Sequence, residues 1–322
     1  MGTAPPLRWG VIGATSQVAV KAVLPAMDAS LTAMLVAVAS ERARAAVDAP
    51  RGARAHPTYA ALLDDPAVEA VYVPLPNSLH REWVERAAAA GKHVLCEKPL
   101  APTADDARAM AVACEAAGVT LLEAYMTPYH PRAMAVDALV ASGRLGALRF
   151  ARAAFTGVLG RADDHRWRPE MGGGALLDVG TYCVAPLLHA AGRSPAHVAA
   201  CASLAPSGVD RSCAGWLDFG DGFAATIECS FEAPERQHLE IVGTEAAVRV
   251  DRAFTPGQAD GTFTLVQRDG RQEKITAGGG DPYQKMIEHF HDMVRNGAPP
   301  RHSISDTIDV LAVMDRLRAA AK

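Results

Sequence analysis

Several features are missing from this 322-residue sequence, and each absence removes a class of function. No apolar run approaches the ~20 residues that a membrane-crossing helix needs. Met1–Trp9 lacks the charged and apolar regions of a secretory signal, so a cytoplasmic protein is expected. There is no basic tract. The formal net charge is −4, with acids and bases mixed along the chain, which leaves little to neutralise nucleic-acid phosphates or to grip an anionic membrane. Six cysteines, Cys96, Cys114, Cys183, Cys201, Cys213 and Cys229, are scattered without C-x-x-C pairs, which suggests neither a zinc site nor a disulfide framework. His289 and His291 are two residues apart and would diverge on a helix, and no H-E-x-x-H or similar ligand spacing occurs, so no metal is expected. Internal repeats and low-complexity blocks are also lacking. A small-molecule partner is the reading that remains.

What is present is an ordinary globular balance, 49% hydrophobic and 21% charged, with enough length for two domains. The first third alternates. Leu7–Ile12, Leu31–Ala39, Val68–Val73, His93–Cys96 and Val119–Glu123 read as strands, while Val18–Met27, Ala43–Ala49, Ala60–Leu63, Asn77–Ala90 and Thr103–Ala117 read as helices. This alternation predicts an α/β fold, a doubly wound parallel sheet over residues 1–123, with ligands at the carboxyl ends of the strands. After Glu123 the pattern changes to helices His130–Ala141, one beginning near Gly174, Tyr283–Arg295 and Asp306–Ala320, with many strands between them. Residues 124–322 are therefore expected to form an α+β domain with a large, mostly antiparallel open sheet, with Gly220-Asp221-Gly222 as a hairpin turn.

Three stretches carry candidate chemistry. The first is the turn after strand one, Gly10-Val-Ile-Gly13-Ala14-Thr15-Ser16-Gln17-Val18, where small residues and a helix N-terminus suit a pyrophosphate. Thr15 stands where a second glycine is usual, so a plain tight turn is the alternative. At the end of strand two the sequence reads Ser40-Glu41-Arg42. Ser40 and Arg42 suit the 2′-phosphate of NADP, and Glu41 keeps NAD open. The second stretch is Val94-Leu-Cys-Glu97-Lys98-Pro99-Leu100, which places Lys98 just past a parallel strand, where this architecture opens to ligands. A strand-end surface charge paired with Glu97 is the bland alternative. In the third, Gly172-Gly173-Gly174 leads into a helix with Asp178 and Tyr182 at i and i+4, so a carboxylate and a phenol project from one face. An ammonium such as that of Lys98 would lower the phenol's pKa from near 10, and Asp178 would orient a substrate hydroxyl. An N-terminal helix aspartate and a core tyrosine are the alternative.

Taken together, these residues resemble the Gfo/Idh/MocA family of oxidoreductases over essentially the whole chain. Its landmarks are Val71–His80, Ala90–Pro99, Glu123-Ala-Tyr125-Met126 with Tyr129-His-Pro131, Trp167-Arg168-Pro169, Gly172–Tyr182 and Val242-Gly-Thr-Glu245. The resemblance implies that Glu97 and Lys98 belong to a cofactor-and-catalysis motif, that Pro74, Leu75, Asn77 and His80 line the cofactor, and that Tyr125 meets the substrate. His80 could equally cap its helix. Tyr182, where many relatives have histidine, is similar to the branch that includes glucose-fructose oxidoreductase, dihydrodiol and xylose dehydrogenases, and 3-ketoreductases of nucleotide-linked deoxysugars. In that branch an arginine often precedes the Tyr-His-Pro triplet; here Pro128 stands there, which weakens any borrowed substrate name. Arg161, His165, Trp167 and Arg168 precede the catalytic helix and suit a sugar, with simple surface or packing roles as the alternative.

The resemblance implies an NAD(P)-dependent oxidoreductase that transfers a hydride between the nicotinamide and a carbohydrate hydroxyl or carbonyl, with Lys98 and Tyr182 in proton transfer. NADP is expected ahead of NAD. The rival is a non-catalytic NAD(P)-sensing regulatory protein of the same fold. A homodimer or homotetramer is expected, as is common in the family.

Overall fold

The computed structural model describes residues 4–40 and 52–321. They divide into two compact units, one formed by Met1–Ala101, Asp105–Met126 and Asp281–Ile304 and the other by Pro102–Ala104, Thr127–Gly280 and Ser305–Lys322.

The first unit is built on six parallel strands, β1 (Leu7–Ile12), β2 (Ala33–Ala39), β3 (Arg54–His56), β4 (Ala70–Val73), β5 (His93–Glu97) and β6 (Leu121–Ala124). Every residue of β4 and of β6 is buried, as continuous apolar strands covered on both faces should be. The spatial order is β3-β2-β1-β4-β5-β6. Strand order thus reverses at β1 and β4, and the carboxyl ends of that pair form the switch point at which such sheets take ligands. Among the described residues four helices connect the strands: α1 (Leu24–Ala29), preceded by a π-helical turn Ala19–Val23, α2 (Tyr59–Leu63), α3 (His80–Ala89) and α4 (Ala104–Ala116). The expected helix over residues 43–49 lies outside the described residues. Strand β3 was not legible, because Arg54-Ala55-His56 is short, polar and at the sheet edge.

Both units are discontinuous in sequence. Helix α7 (Pro282–Asn296), after the whole second sheet in sequence, packs in the first unit. Asp281 caps it by accepting from the Tyr283 amide at 2.8 Å. Its apolar stripe, Met286, Ile287 and Phe290, is fully buried, and Phe290 lies 5.1 Å from Trp9 of β1. At its far end Arg295 reaches Glu69 at 2.9 Å. An amphipathic stripe announces that it will be covered without saying by which sheet.

The second unit holds an eight-stranded sheet, β7 (Leu148–Val158), β8 (His197–Leu204), β9 (Asp210–Gly220), β10 (Phe223–Ser230), β11 (Glu232–Gly243), β12 (Ala246–Asp251), β13 (Thr262–Gln267) and β14 (Gln272–Thr276). Their order is β14-β13-β12-β11-β7-β10-β9-β8, antiparallel except for the pair β7–β10. The β9–β10 hairpin turns at Gly220-Asp221-Gly222, all three with positive φ. Strand β11 runs through Pro234, because its register shifts between Glu232 and Arg236. Helices α5 (Pro131–Ala141), α6 (Thr181–Ala191) and α8 (Ile304–Ala320) complete the unit. One sheet face is covered, with Leu317 of α8 closing on Gly215. The other carries Phe150, Arg152, Trp216 and Thr226 outward, with Phe150 64% and Trp216 43% exposed. Among the described residues one helical stretch, Pro169–Ala191, is apolar and long enough to cross a membrane, and 72% of its most apolar window is buried inside the protein, as befits a core helix.

Candidate active site

The first unit holds the glycine turn and the Lys98 loop. Gly13 has φ +84°, and a Cβ there would sit 2.8 Å from Leu75 Cδ2, so glycine is required both by conformation and by the close approach of the β4 end. The amides of Gly13 and Ala14 donate to Ala39 O at 2.8 and 3.2 Å, which locks the turn onto β2. Thr15, the departure from the glycine pattern, has its hydroxyl 2.9 Å from that of Ser40. A side chain at this position thus ties the turn to β2 rather than blocking it. Ser16 then caps the helix: its Oγ accepts from the Ala19 amide at 3.2 Å, and the first helical bond runs from Val20 N to Ser16 O. Gln17 and Val18 are consequently first-turn amides, which have no partner within a helix. With this positive helix end at the switch point, the turn fits the pyrophosphate of a dinucleotide. Pro74 and Leu75 flank it, with Asn77 half-buried beyond them. Ser40 is only 1% exposed, which places it beneath the turn; Glu41 and Arg42 lie outside the described residues.

At the end of β5 the chain makes a cis peptide between Lys98 and Pro99. From Val94 to Ala101 every residue is buried except Lys98, so the loop offers one side chain, and it is a cation. Glu97, 7% exposed, points the other way: Oε1 accepts from the Tyr72 hydroxyl at 2.5 Å and Oε2 from the Lys98 amide at 3.2 Å. Burial pushes its pKa up to about 7. His80 is fully buried, with Nε2 2.8 Å from Leu75 O and Nδ1 3.1 Å from the carbonyls of both Pro99 and Leu100. Burial pulls its pKa down against those contacts. Tyr125 is buried at the end of β6, edge-on to His302 at 5.2 Å.

The second unit holds the helix of Asp178 and Tyr182 and the loop before it. Gly172 and Gly174 have φ of +70° and +117°. Gly173 has no room for a side chain: a Cβ would lie 2.9 Å from Arg168 O and closer still to Arg166 O. The three glycines therefore let residues 166–168 lie directly on the helix start, with Gly174 N donating to Arg166 O at 2.9 Å and Gly173 N to Arg168 O at 3.1 Å. Asp210 of β9 caps this start from a distant strand, accepting from the Leu176 amide at 2.6 Å, and its burial pushes its pKa up. The first turn, Leu176–Gly180, is π-helical and passes into α6 at Thr181. Asp178 lies in this turn, and Arg166 Nε stands 3.7 Å from its Oδ2. Tyr182 is 5% exposed and sits in an aromatic cluster, 5.3 Å from Phe155 and 6.2 Å from Phe254.

The remaining residues of the loop separate into two groups. His165 and Trp167 are half-buried, Trp167 edge-on to Phe231 at 5.4 Å and His165 Nδ1 3.3 Å from Asp164. Arg161 and Arg168 are exposed and paired with Asp163 and Glu170 at 3.3 and 2.6 Å. Two participants escaped the sequence reading. Arg166 has no spacing that would link it to Asp178 before the glycines fold the loop back, and Asp210 is far away in sequence.

Family models match stretches of both units. The model of an oxidoreductase family, with an NAD-binding Rossmann fold, matches residues 7–125, and that of a GFO/IDH/MocA C-terminal domain matches residues 133–249. The chain is 35% identical over 319 residues to the D-xylose 1-dehydrogenase (NADP(+)) 2 of Haloferax volcanii, covering 98% of each protein. It is 31% identical to the dTDP-3,4-didehydro-2,6-dideoxy-alpha-D-glucose 3-reductase of Actinomadura kijaniata, covering 98% of this chain and 96% of that one. A crystal structure of a 3-ketoreductase from Actinomadura kijaniata, in complex with NADP and TDP-benzene, superimposes with a TM-score of 0.91 at 30% identity over 98% of both chains.

Proposed function

Because this chain belongs to the Gfo/Idh/MocA family of NAD-binding oxidoreductases, we propose that it is an NADP(H)-preferring dehydrogenase or ketoreductase of a sugar, a keto sugar or a related polyol. The observation that carries the reading is Lys98, the single unburied residue between Val94 and Ala101, presented at the carboxyl end of a strand in a dinucleotide-type sheet. When bound, the nicotinamide supplies or accepts the hydride at its C4. Tyr182 exchanges the proton of the reacting hydroxyl or carbonyl oxygen, and Lys98 holds positive charge against that oxygen as the proton moves. Asp178, steadied by Arg166, accepts a hydrogen bond from a neighbouring substrate hydroxyl. Trp167 offers an apolar face to a sugar ring, with His165 and Tyr125 as further contacts. Arg161 and Arg168 would serve a charged substituent on the sugar. Arg42 is assigned to the 2′-phosphate of NADP, with Ser40 beneath the turn.

Oligomerisation belongs to the same reading. The outward sheet face with Phe150 and Trp216 is assigned to a second copy of the chain, since large apolar side chains gain by leaving water together.

The reading is tested by fluorescence titration with NADPH and with NADH, followed by turnover of D-xylose with NADP+ and of a nucleotide-linked keto sugar with NADPH. Preferential NADPH binding and turnover of either substrate are expected. Failure to bind either dinucleotide would overturn the dehydrogenase assignment, and a preference for NADH would overturn the role of Arg42.

A further inference from the structure

The turn that carries Lys98 is held from beneath by groups that no step of the proposed reaction uses. Residues 98–100 leave the sheet, so their backbone groups cannot join its ladder and need other partners. Glu97 takes the Lys98 amide at 3.2 Å, and Glu123 Oε1 takes the Leu100 amide at 2.8 Å. His80 Nδ1 lies 3.1 Å from the carbonyls of Pro99 and Leu100. Both amides of the turn, and two of its carbonyls, are thus engaged by buried side chains.

The two carboxylates hold the turn from opposite sides. In the β5–β6 register Cys96 pairs with Glu123 and Glu97 with Ala124, so Glu97 and Glu123 project from opposite faces of the sheet. Glu123 is 4% exposed, and its second oxygen is 3.5 Å from His302 Nε2. A buried carboxylate is costly to desolvate, and its bond to the Leu100 amide is among the contacts that offset that cost. What it provides is direction. Lysine has a flexible stem, so the reach of its ammonium depends on where the fold sets its backbone and its first bond.

We propose that Glu123 is a positioning residue for Lys98: its carboxylate fixes the Lys98-Pro99-Leu100 turn through the Leu100 amide, with His80 on the carbonyl side, and so sets where the ammonium group meets the reacting oxygen. The proposal rests on the dehydrogenase reading for its consequence in turnover, but the clamp itself is a property of the apoprotein.

Two readouts separate these. Hydrogen exchange at the Leu100 amide, followed by NMR or by overlapping peptides, needs no substrate. Glu123→Ala should speed that exchange roughly tenfold or more, while Glu123→Gln, which keeps an acceptor oxygen, should stay within about threefold of the wild type. Unchanged exchange in Glu123→Ala overturns the clamp. The second readout is turnover with NADP+ and D-xylose in a double-mutant cycle. Glu123→Ala should lower kcat about tenfold or more with little change in KM for NADP+, and Glu123→Gln should recover most of the loss. In a Lys98→Ala background, Glu123→Ala should cost less than about twofold further, because a residue that acts through Lys98 has nothing left to position. Multiplying losses would show a merely structural role and overturn the proposal. Should Glu123→Ala fail to fold, Glu123→Asp tests the same point: its shorter reach should speed Leu100 exchange and lower kcat, and wild-type behaviour in both overturns the clamp. Wild-type turnover in Lys98→Ala, or turnover of neither D-xylose nor the nucleotide-linked keto sugar by the wild type, counts against the functional reading, and the exchange result then decides the clamp alone; a wild type active only on the keto sugar has the same cycle run with that substrate and NADPH.

Discussion

The Tyr72 hydroxyl donates to Glu97 across 2.5 Å, joining β4 to β5 directly behind Lys98. Both side chains are buried, and burial raises the Glu97 pKa from an ordinary 4.5 to about 7. Between these values the folded protein keeps a proton that the unfolded chain releases, so this group's contribution to stability falls as pH rises from 4.5 through 7. The full effect is on the order of 3 kcal/mol. Glu97→Gln should abolish it, so the variant's Tm should gain on the wild type between pH 5 and pH 8. The paired comparison cancels Asp65, whose pKa is lowered chiefly by the Ala67 amide and whose contribution is lost in the opposite direction, as pH falls. Parallel Tm profiles for the two proteins would refute the Glu97 assignment.

Lys98→Ala and Tyr182→Phe should each reduce turnover by about 10²–10⁴-fold, the range for a positioned acid–base group, while leaving NADPH affinity within a few-fold. Stopped-flow turnover beside fluorescence titration checks both halves. A protein that binds NADPH tightly and shows no turnover to lose would instead be a sensor of the dinucleotide.

Gly174→Ala should destabilise the second unit by about 1–3 kcal/mol, because φ is +117° there and the new Cβ would run into the Asp210 carboxylate. Urea denaturation measures the loss. Asp210→Ala removes the acceptor of the Leu176 amide and should lower kcat as well, since the helix start carries Asp178. Full activity in that variant would show that Asp210 is not needed to hold the helix.

Gly13→Val should eliminate dinucleotide binding, since a side chain is strained at φ +84° and meets Leu75. Arg42→Ala should instead weaken NADPH more than NADH by about tenfold, the mark of a lost phosphate contact. Equal weakening of both dinucleotides in isothermal titration would remove Arg42 from the 2′-phosphate.

Trp216→Glu places a charge on the outward sheet face, where Trp216 is 43% exposed. Sedimentation should show a smaller species than the wild type with an unchanged far-UV spectrum. Identical sedimentation would free that face of any role in self-association.

Much of this protein was legible residue by residue, where local rules suffice. Gly13, Gly172 and Gly174 require backbone conformations that other residues resist, the apolar strands β4 and β5 announce burial on both faces, and Pro99 marks where the chain must leave the sheet. From these follow the parallel sheet, the open second sheet and the exposure of Lys98. Patterns that depend on partners were not legible. Pro234 and its charged neighbours conceal most of β11, whose place depends on a register shift against β7, and α7 shows an apolar stripe without naming Trp9 as its neighbour. The sequence alone therefore determined which residues are candidates for the chemistry, because reactive side-chain types stand at turns and helix starts that local composition dictates. Only the tertiary structure decided what holds them: Glu123 beneath the Lys98 turn, Asp210 at the helix start and Arg166 against Asp178 are joined by packing between distant segments, and no spacing along the chain encodes a hydrogen bond that only the folded sheets bring within reach.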